Sequence, residues 1–154
     1  MKIKGKIINI VSNIFYVEVQ DKIYECTSRG IFKTKEEKPV VGDNVLIEIE
    51  NEKGNILEIV DREKYIKRPK VANLTQLILV VSSKNPVPDL LMLDKQLAFA
   101  EFLNVKPIIV INKIDLDENE ANNIEEIYSN IGYTVIKTNA KESVNIEELK
   151  QYLE

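Results

Sequence analysis

At 154 residues, 44% hydrophobic and 30% charged, the chain is long and apolar enough to bury a core in one domain or two small ones. No run approaches the roughly 18 apolar residues that span a bilayer, and Met1-Lys2-Ile3-Lys4-Gly5-Lys6 alternates basic with apolar where a signal peptide is continuously apolar, so a cytoplasmic protein with no membrane partner is expected. A single cysteine, Cys26, excludes an internal disulfide, the lack of histidine excludes a Cys/His zinc site, and a net charge of −4 argues against indiscriminate nucleic-acid binding.

The first half reads as all-β. Alternating runs at residues 3–11, 14–19 and 23–27 are separated by Ser12-Asn13 and Gln20-Asp21. Two more, 45–49 and 56–60, are joined by Asn51-Glu52-Lys53-Gly54-Asn55. Five short strands with hairpin-like links predict a small closed barrel. Gly5 suits a bend or bulge in the first strand, and Gly42-Asp43 a tight turn before the fourth. Cys26 lies in an alternating run, which suits a half-buried structural thiol. Phe15, Tyr16, Tyr24 and Phe32 suit either the barrel core and rim or a base-stacking face.

Near Lys67-Arg68-Pro69-Lys70 the pattern changes to α/β. Residues 77–81, Leu-Ile-Leu-Val-Val, read as a strand covered on both faces. Pro86-Val87-Pro88-Asp89 introduces a helix over about 90–103, with Leu90, Leu93, Leu97, Ala100 and Leu103 at helical spacing. The second strand of this half is expected at 107–111. Asp117-Glu118-Asn119-Glu120 has capping-box spacing for a helix carrying Ala121, Ile124, Ile127 and Ile131, which Gly132 ends. A strand at 133–136 and a last helix with Ile146, Leu149, Tyr152 and Leu153 on its inner face complete the pattern. The expected division is 1–67, a linker at 68–75, and 76–154.

Asn112-Lys113-Ile114-Asp115 stands at the end of the 107–111 run, where parallel sheets bind ligands. The spacing N-K-x-D suits guanine. A carboxylate at Asp115 accepts from the ring N–H and the exocyclic amine, a donor pair adenine lacks; the Asn112 amide reaches N7, and the Lys113 stem covers the flat face. Thr138-Asn139-Ala140-Lys141, after the next strand, can offer the Ala140 N–H to the guanine carbonyl, with Lys141 as a second stacking stem. Asp115 as a loop cap and Lys113 as a surface lysine are the plainer alternatives.

An ordinary GTPase places a phosphate loop, G-x-x-x-x-G-K-[ST], before such elements. This sequence contains none, and the base-recognition loops follow a β-rich half, an order that resembles the circularly permuted GTPases. Arg29-Gly30, Val41-Gly42-Asp43-Asn44-Val45, Arg68-Pro69-Lys70-Val71-Ala72-Asn73, Leu91 to Asp94 and the two loops together resemble the ribosome small-subunit-dependent GTPases of the YjeQ/RsgA type, over essentially the whole chain. Asn139 departs from the usual Ser or Thr of the second loop.

The resemblance implies an N-terminal OB-fold barrel followed by a partial three-layer α/β, circularly permuted GTPase domain with a parallel sheet, truncated before the phosphate loop, switches and zinc-binding segment. It implies GTP/GDP and Mg²⁺ for the intact protein, hydrolysis stimulated by the small (30S) ribosomal subunit, a role in its late assembly, and barrel contacts to rRNA. This chain alone is expected to hold no catalytic residues, to bind nucleotide weakly, and to expose the 77–81 strand as an edge open to self-association.

Residues 1–67 carry 12 basic and 12 acidic side chains and 68–154 carry 9 and 13, so any RNA contact must use a local basic face. Arg29, Lys33, Lys35 and Lys38 in one segment are the candidates, with a solvated loop as the plainer reading. Two other function classes stay open at this point: a non-catalytic OB-fold RNA-binding module, and a protein-interaction scaffold.

Overall fold

Period-two alternation of apolar and polar residues builds the first unit, because each strand can turn only one face to a shared interior. The computed structural model of the chain describes residues 2–28 and 38–153. It divides into two compact units, Met1–Leu74 and Thr75–Glu154.

In the first unit β1 (Lys2–Val11), β2 (Ile14–Val19), β3 (Lys22–Ser28), β4 (Asn44–Glu50) and β5 (Lys53–Val60) close in the order β1-β2-β3-β5-β4. The pairings are antiparallel except β3 with β5, which run parallel with Cys26 opposite Gly54. This is the expected OB barrel. Its interior is Ile7, Val17, Cys26, Val45, Ile47 and Ile56, all fully buried, with Phe15 and Val19 beside them. Closure leaves no free sheet edge in the barrel.

Two local readings change. The register shift in β1 lies between Ile7 and Asn9, not at Gly5. Gly5 is instead a close approach: a Cβ there would stand 2.6 Å from Val17 Cγ1 and 2.7 Å from Glu18 O. The β4–β5 link is only Asn51-Glu52, both left-handed (φ 49° and 65°), a two-residue hairpin turn, so Lys53 and Gly54 belong to β5.

Within the stretch 68–75, read from the sequence as a linker, Lys70–Ala72 form β7 and pair with β6 (Tyr65–Lys67) in a hairpin of the first unit. It is tied to the turn before β4. Ala72 N–H donates to Val41 O (2.9 Å), and Asn73 Nδ2 donates to Gly42 O (3.1 Å). Gly42 has φ +89° and a Cβ there would meet Ala72 O at 2.0 Å, so only glycine fits.

The second unit is a parallel sheet in the order β10-β9-β8, from β8 (Gln76–Ser82), β9 (Lys106–Asn112) and β10 (Thr134–Lys137). Helices α1 (Leu90–Phe102) and α2 (Glu118–Asn130) cover one face, where Leu93, Leu97, Ala121, Ile124 and Tyr128 pack on Leu79, Ile109 and Ile111. Asp89 and Asp117 cap them, accepting from Met92 N–H and Glu120 N–H. The Tyr128 hydroxyl donates to Asp94 Oδ1 (2.7 Å) and joins the helices. On the other face Leu149 of the short α3 (Ile146–Lys150), together with Tyr152, packs on Ile108, Val110 and Ile136. The coverage of β8 on both faces that its sequence suggests is only half realised: Leu77, Leu79 and Val81 join the core under α1 and α2, whereas Val80 on the opposite face is 66% exposed.

Candidate functional site

The site lies at the carboxyl ends of the three strands, where chain direction brings the β9 and β10 loops side by side. Thr138 N–H donates to Ile111 O (2.7 Å) and Ile114 N–H to Thr138 O (3.3 Å), extending the β9–β10 pairing past the strand ends. From this platform the Asn112 side chain reaches across. Its Oδ1 accepts from Ala140 N–H (3.0 Å) and from the Thr138 hydroxyl (3.2 Å). A backbone N–H can only donate, so the Asn112 oxygen is the atom facing the second loop, and its Nδ2 donors are left for the mouth of the site.

Lys113 is left-handed (φ 62°), a conformation seldom adopted by a residue with a side chain, and is held there from both ends. Ser83 Oγ donates to its carbonyl (2.6 Å), while its ammonium donates to Asn85 O in the loop after β8. Ser83 N–H also donates to Asn112 O (3.0 Å), so three loops are laced together. Asp115 is exposed, and among the described residues neither it nor the exposed Lys141 has a hydrogen-bond or ion-pair partner.

Asn139 points inward. It is 6% exposed, its backbone pairs with Val144 in both directions, and its Oδ1 accepts from Glu142 N–H (3.3 Å). A side-chain oxygen gripping the N–H three residues on is the service a Ser or Thr would render, so the departure at this position leaves the loop closed. Asp117, two residues beyond Asp115, is held below the usual carboxylate range by the Glu120 N–H and the Lys84 ammonium, and is committed to capping α2.

Of the basic candidates on the first unit, Lys38 is exposed, while Arg29, Lys33 and Lys35 lie outside the described residues, as does Phe32. Phe15 is barrel core; Tyr24 is half-buried against that core with Lys22 Nζ over its ring at 4.9 Å, and Tyr16, half-buried, pairs with Glu25 in the β2–β3 register. Cys26 is fully buried, and desolvation pushes its thiol up to about 11.

Sequence reasoning missed the pairing of Asp43 with Arg62. The carboxylate is fully buried; Arg62 Nε donates to Oδ1 (2.7 Å) and the guanidinium again to Oδ2 (2.5 Å), while Val40 N–H donates to Oδ2 (2.8 Å). The turn signal Gly42-Asp43 was legible; its partner 19 residues away was not.

A family model described as RsgA GTPase matches residues 59–154, and one described as RsgA N-terminal domain matches residues 4–57. The chain is 40% identical over 149 residues to the small ribosomal subunit biogenesis GTPase RsgA of Clostridium botulinum (strain Eklund 17B / Type B), covering 96% of this chain and 51% of that protein. Among solved structures, YjeQ from Thermotoga maritima superposes with a TM-score of 0.87 at 36% identity, covering 100% of this chain and 58% of that one. YloQ, described as a circularly permuted GTPase, gives 0.75 at 37% identity over 92% of this chain and 53% of its own. The chain spans about half the length of the curated relatives it matches.

Proposed function

This chain belongs to the RsgA GTPase family, and from that premise we propose that it is the guanine-recognising and ribosome-contacting part of a GTPase acting in late small-subunit assembly in the cytoplasm. The observation that carries the reading is the grip of Asn112 Oδ1 on Ala140 N–H and Thr138, which orients the Asn112 amide donors toward a base. The unpartnered Asp115 carboxylate accepts the guanine N1–H and exocyclic amine. Adenine presents a bare ring nitrogen at the first of these positions, which repels a carboxylate. Lys113, with its ammonium fixed on Asn85 O, and Lys141 lay their stems along the two faces of the ring. Ala140 N–H, given from sequence to the guanine carbonyl, already serves Asn112, so it reaches the base only as a shared donor. Asn139 braces the loop from inside.

The 154 residues contain no G-x-x-x-x-G-K-[ST], and among the described residues no group of three or more His, Cys, Asp or Glu side chains is placed to hold a metal ion. The share of the work proposed for these residues is base selection. No described helix is long and apolar enough to cross a membrane.

Calorimetry of this chain with GDP, GTP and ATP tests the reading. Weak binding that prefers guanine, and loses the preference in Asp115→Ala, is expected. Equal affinity for ATP, or GTP hydrolysis by the isolated chain, would overturn it.

A further inference from the structure

The residues that follow β8 reach across to the loop that carries Asp115. The β8–β9 register ends with Ser82 opposite Asn112. Beyond it, Ser83 N–H donates to Asn112 O (3.0 Å), the Ser83 hydroxyl donates to Lys113 O (2.6 Å), and Asn85 O accepts from the Lys113 ammonium. Ser83 is 2% exposed. Its backbone bond continues the sheet ladder past the strand ends, whereas no strand pairing depends on its hydroxyl bond.

The oxygen that this hydroxyl holds also closes a turn. Leu116 N–H donates to Lys113 O (2.9 Å), which makes Lys113-Ile114-Asp115-Leu116 a four-residue turn with Asp115 in its third place. Asp115 is exposed and, among the described residues, has no hydrogen-bond or ion-pair partner, so the turn alone sets where its carboxylate stands. A carbonyl oxygen accepts two donors. Leu116 N–H closes the turn; the Ser83 hydroxyl, coming from the neighbouring loop, fixes its tilt on the sheet. Lys113 is left-handed (φ 62°), a conformation that a residue with a side chain keeps when its surroundings enforce it.

We propose that Ser83 is a positioning residue for base selection: it holds the Asp115 carboxylate in the plane from which both oxygens accept from guanine, one from N1–H and one from the exocyclic amine. The inference rests on the guanine reading above. Ser83 touches no base and acts through the Lys113 carbonyl. Two parallel hydrogen bonds to one carboxylate demand more of its angle than a single bond does, so a tilted carboxylate keeps one arm of the fork and loses the other. Without the hydroxyl the turn stays closed by Leu116 but tilts, and selectivity for the exocyclic amine falls before affinity for the ring.

The test titrates the full 154-residue chain with GDP, inosine diphosphate and ADP at millimolar concentration, following amide shifts by NMR. Inosine keeps the N1–H and lacks the exocyclic amine, so the ratio of GDP to inosine diphosphate affinity reads the second arm of the fork alone. Wild type is expected to favour GDP by about tenfold. Ser83→Ala should cut that ratio by at least about threefold, and Ser83→Thr, which keeps the hydroxyl, should retain it. Tyr128→Phe removes a hydroxyl bond to Asp94 between the two helices and should leave the ratio unchanged. If thermal melts show Ser83→Ala unfolded, Ser83→Cys, near in size and a weak donor, is read in its place. Parallel loss of GDP and inosine diphosphate affinity, with the ratio intact, would make Ser83 merely structural and overturn the proposal. An equal fall of the ratio in Tyr128→Phe or Ser83→Thr overturns it too, as does a wild type that prefers GDP to ADP but not to inosine diphosphate. A wild type with no preference for GDP over ADP ends the guanine reading and this inference together; a wild type that discriminates, matched by Ser83→Ala, ends only the inference about Ser83.

Discussion

Ala140 N–H donates to Asn112 Oδ1 across 3.0 Å, so the side chain that would read the base also closes the loop that follows the next strand. The double duty can be separated by substitution. Asn112→Ala removes two acceptor contacts and should destabilise the second unit by about 1–3 kcal/mol in urea unfolding. Asn112→Asp keeps an acceptor for Ala140 and Thr138 but has no N–H for N7, so it should remain near wild-type stability and lose guanine affinity. Equal destabilisation by both variants would show that the acceptor contacts of the Asn112 oxygen do not hold the loop.

Asp43 has no exposed surface, and Arg62 meets it with two hydrogen bonds. Removing Arg62 leaves the buried Asp43 carboxylate without its counter-charge, and removing Asp43 takes two hydrogen bonds from a guanidinium that is largely out of solvent. Asp43→Ala and Arg62→Ala should each cost about 3–5 kcal/mol in the first unit, and the double variant should cost less than the sum of the two. Strict additivity in a double-mutant cycle would mean that the ion pair is incidental and that the Val40 N–H bond matters alone.

The Cys26 thiol faces Gly54 so closely that a Cβ on residue 54 would stand 2.2 Å from its sulfur. Gly54→Ala should therefore destabilise the barrel by about 1–3 kcal/mol, and by clearly less in a Cys26→Ala background. With its pKa raised from 9.0 to about 11, Cys26 is protonated at pH 8 in the folded protein and titrates earlier once unfolded. Its contribution to stability is then complete below pH 9 and is lost as pH rises toward 11. Native protein at pH 8 should resist a thiol reagent at least about 100-fold better than protein in urea. Comparable rates in the two states would show the thiol is reached by ordinary breathing.

The barrel was legible because each strand ends at a local signal. Ser12, Gln20-Asp21 and Asn51-Glu52 all take left-handed φ where the sequence shows short polar residues between apolar alternations. The two loops at the end of the sheet were legible for the same reason, being anchored to apolar strands of unmistakable length. The β6–β7 hairpin was not. Each of its strands has three residues, too few for a period, and its turn is flanked by Lys67 and Lys70, so nothing local separates it from a linker. What holds it is tertiary: the Val41 carbonyl, the bare Cα of Gly42, and the Arg62–Asp43 pair. Likewise the role of Asn139 depends on the N–H of Glu142, which a motif at the level of single letters does not display.

The β8 strand is at the end of the sheet order β10-β9-β8, and among the described residues it pairs only with β9. Its free side presents backbone donors and acceptors, and nothing within Leu77, Ile78, Leu79, Val80 and Val81 carries charge, proline or a bulge to discourage another strand. Apolar exposure continues nearby: Val80 is 66% exposed, and on α1 Leu91 and Phe102 are 65% and 83% exposed. The 154-residue chain should therefore self-associate with rising concentration, and Val80→Lys, which places a cation on that side without disturbing the buried Leu79, should shift it toward monomer. Light scattering measures the first effect, and hydrogen exchange locates it: β8 amides pointing away from β9 should gain protection as the chain associates. A strictly monomeric chain whose β8 amides are strongly protected on both sides would show that the edge is already covered.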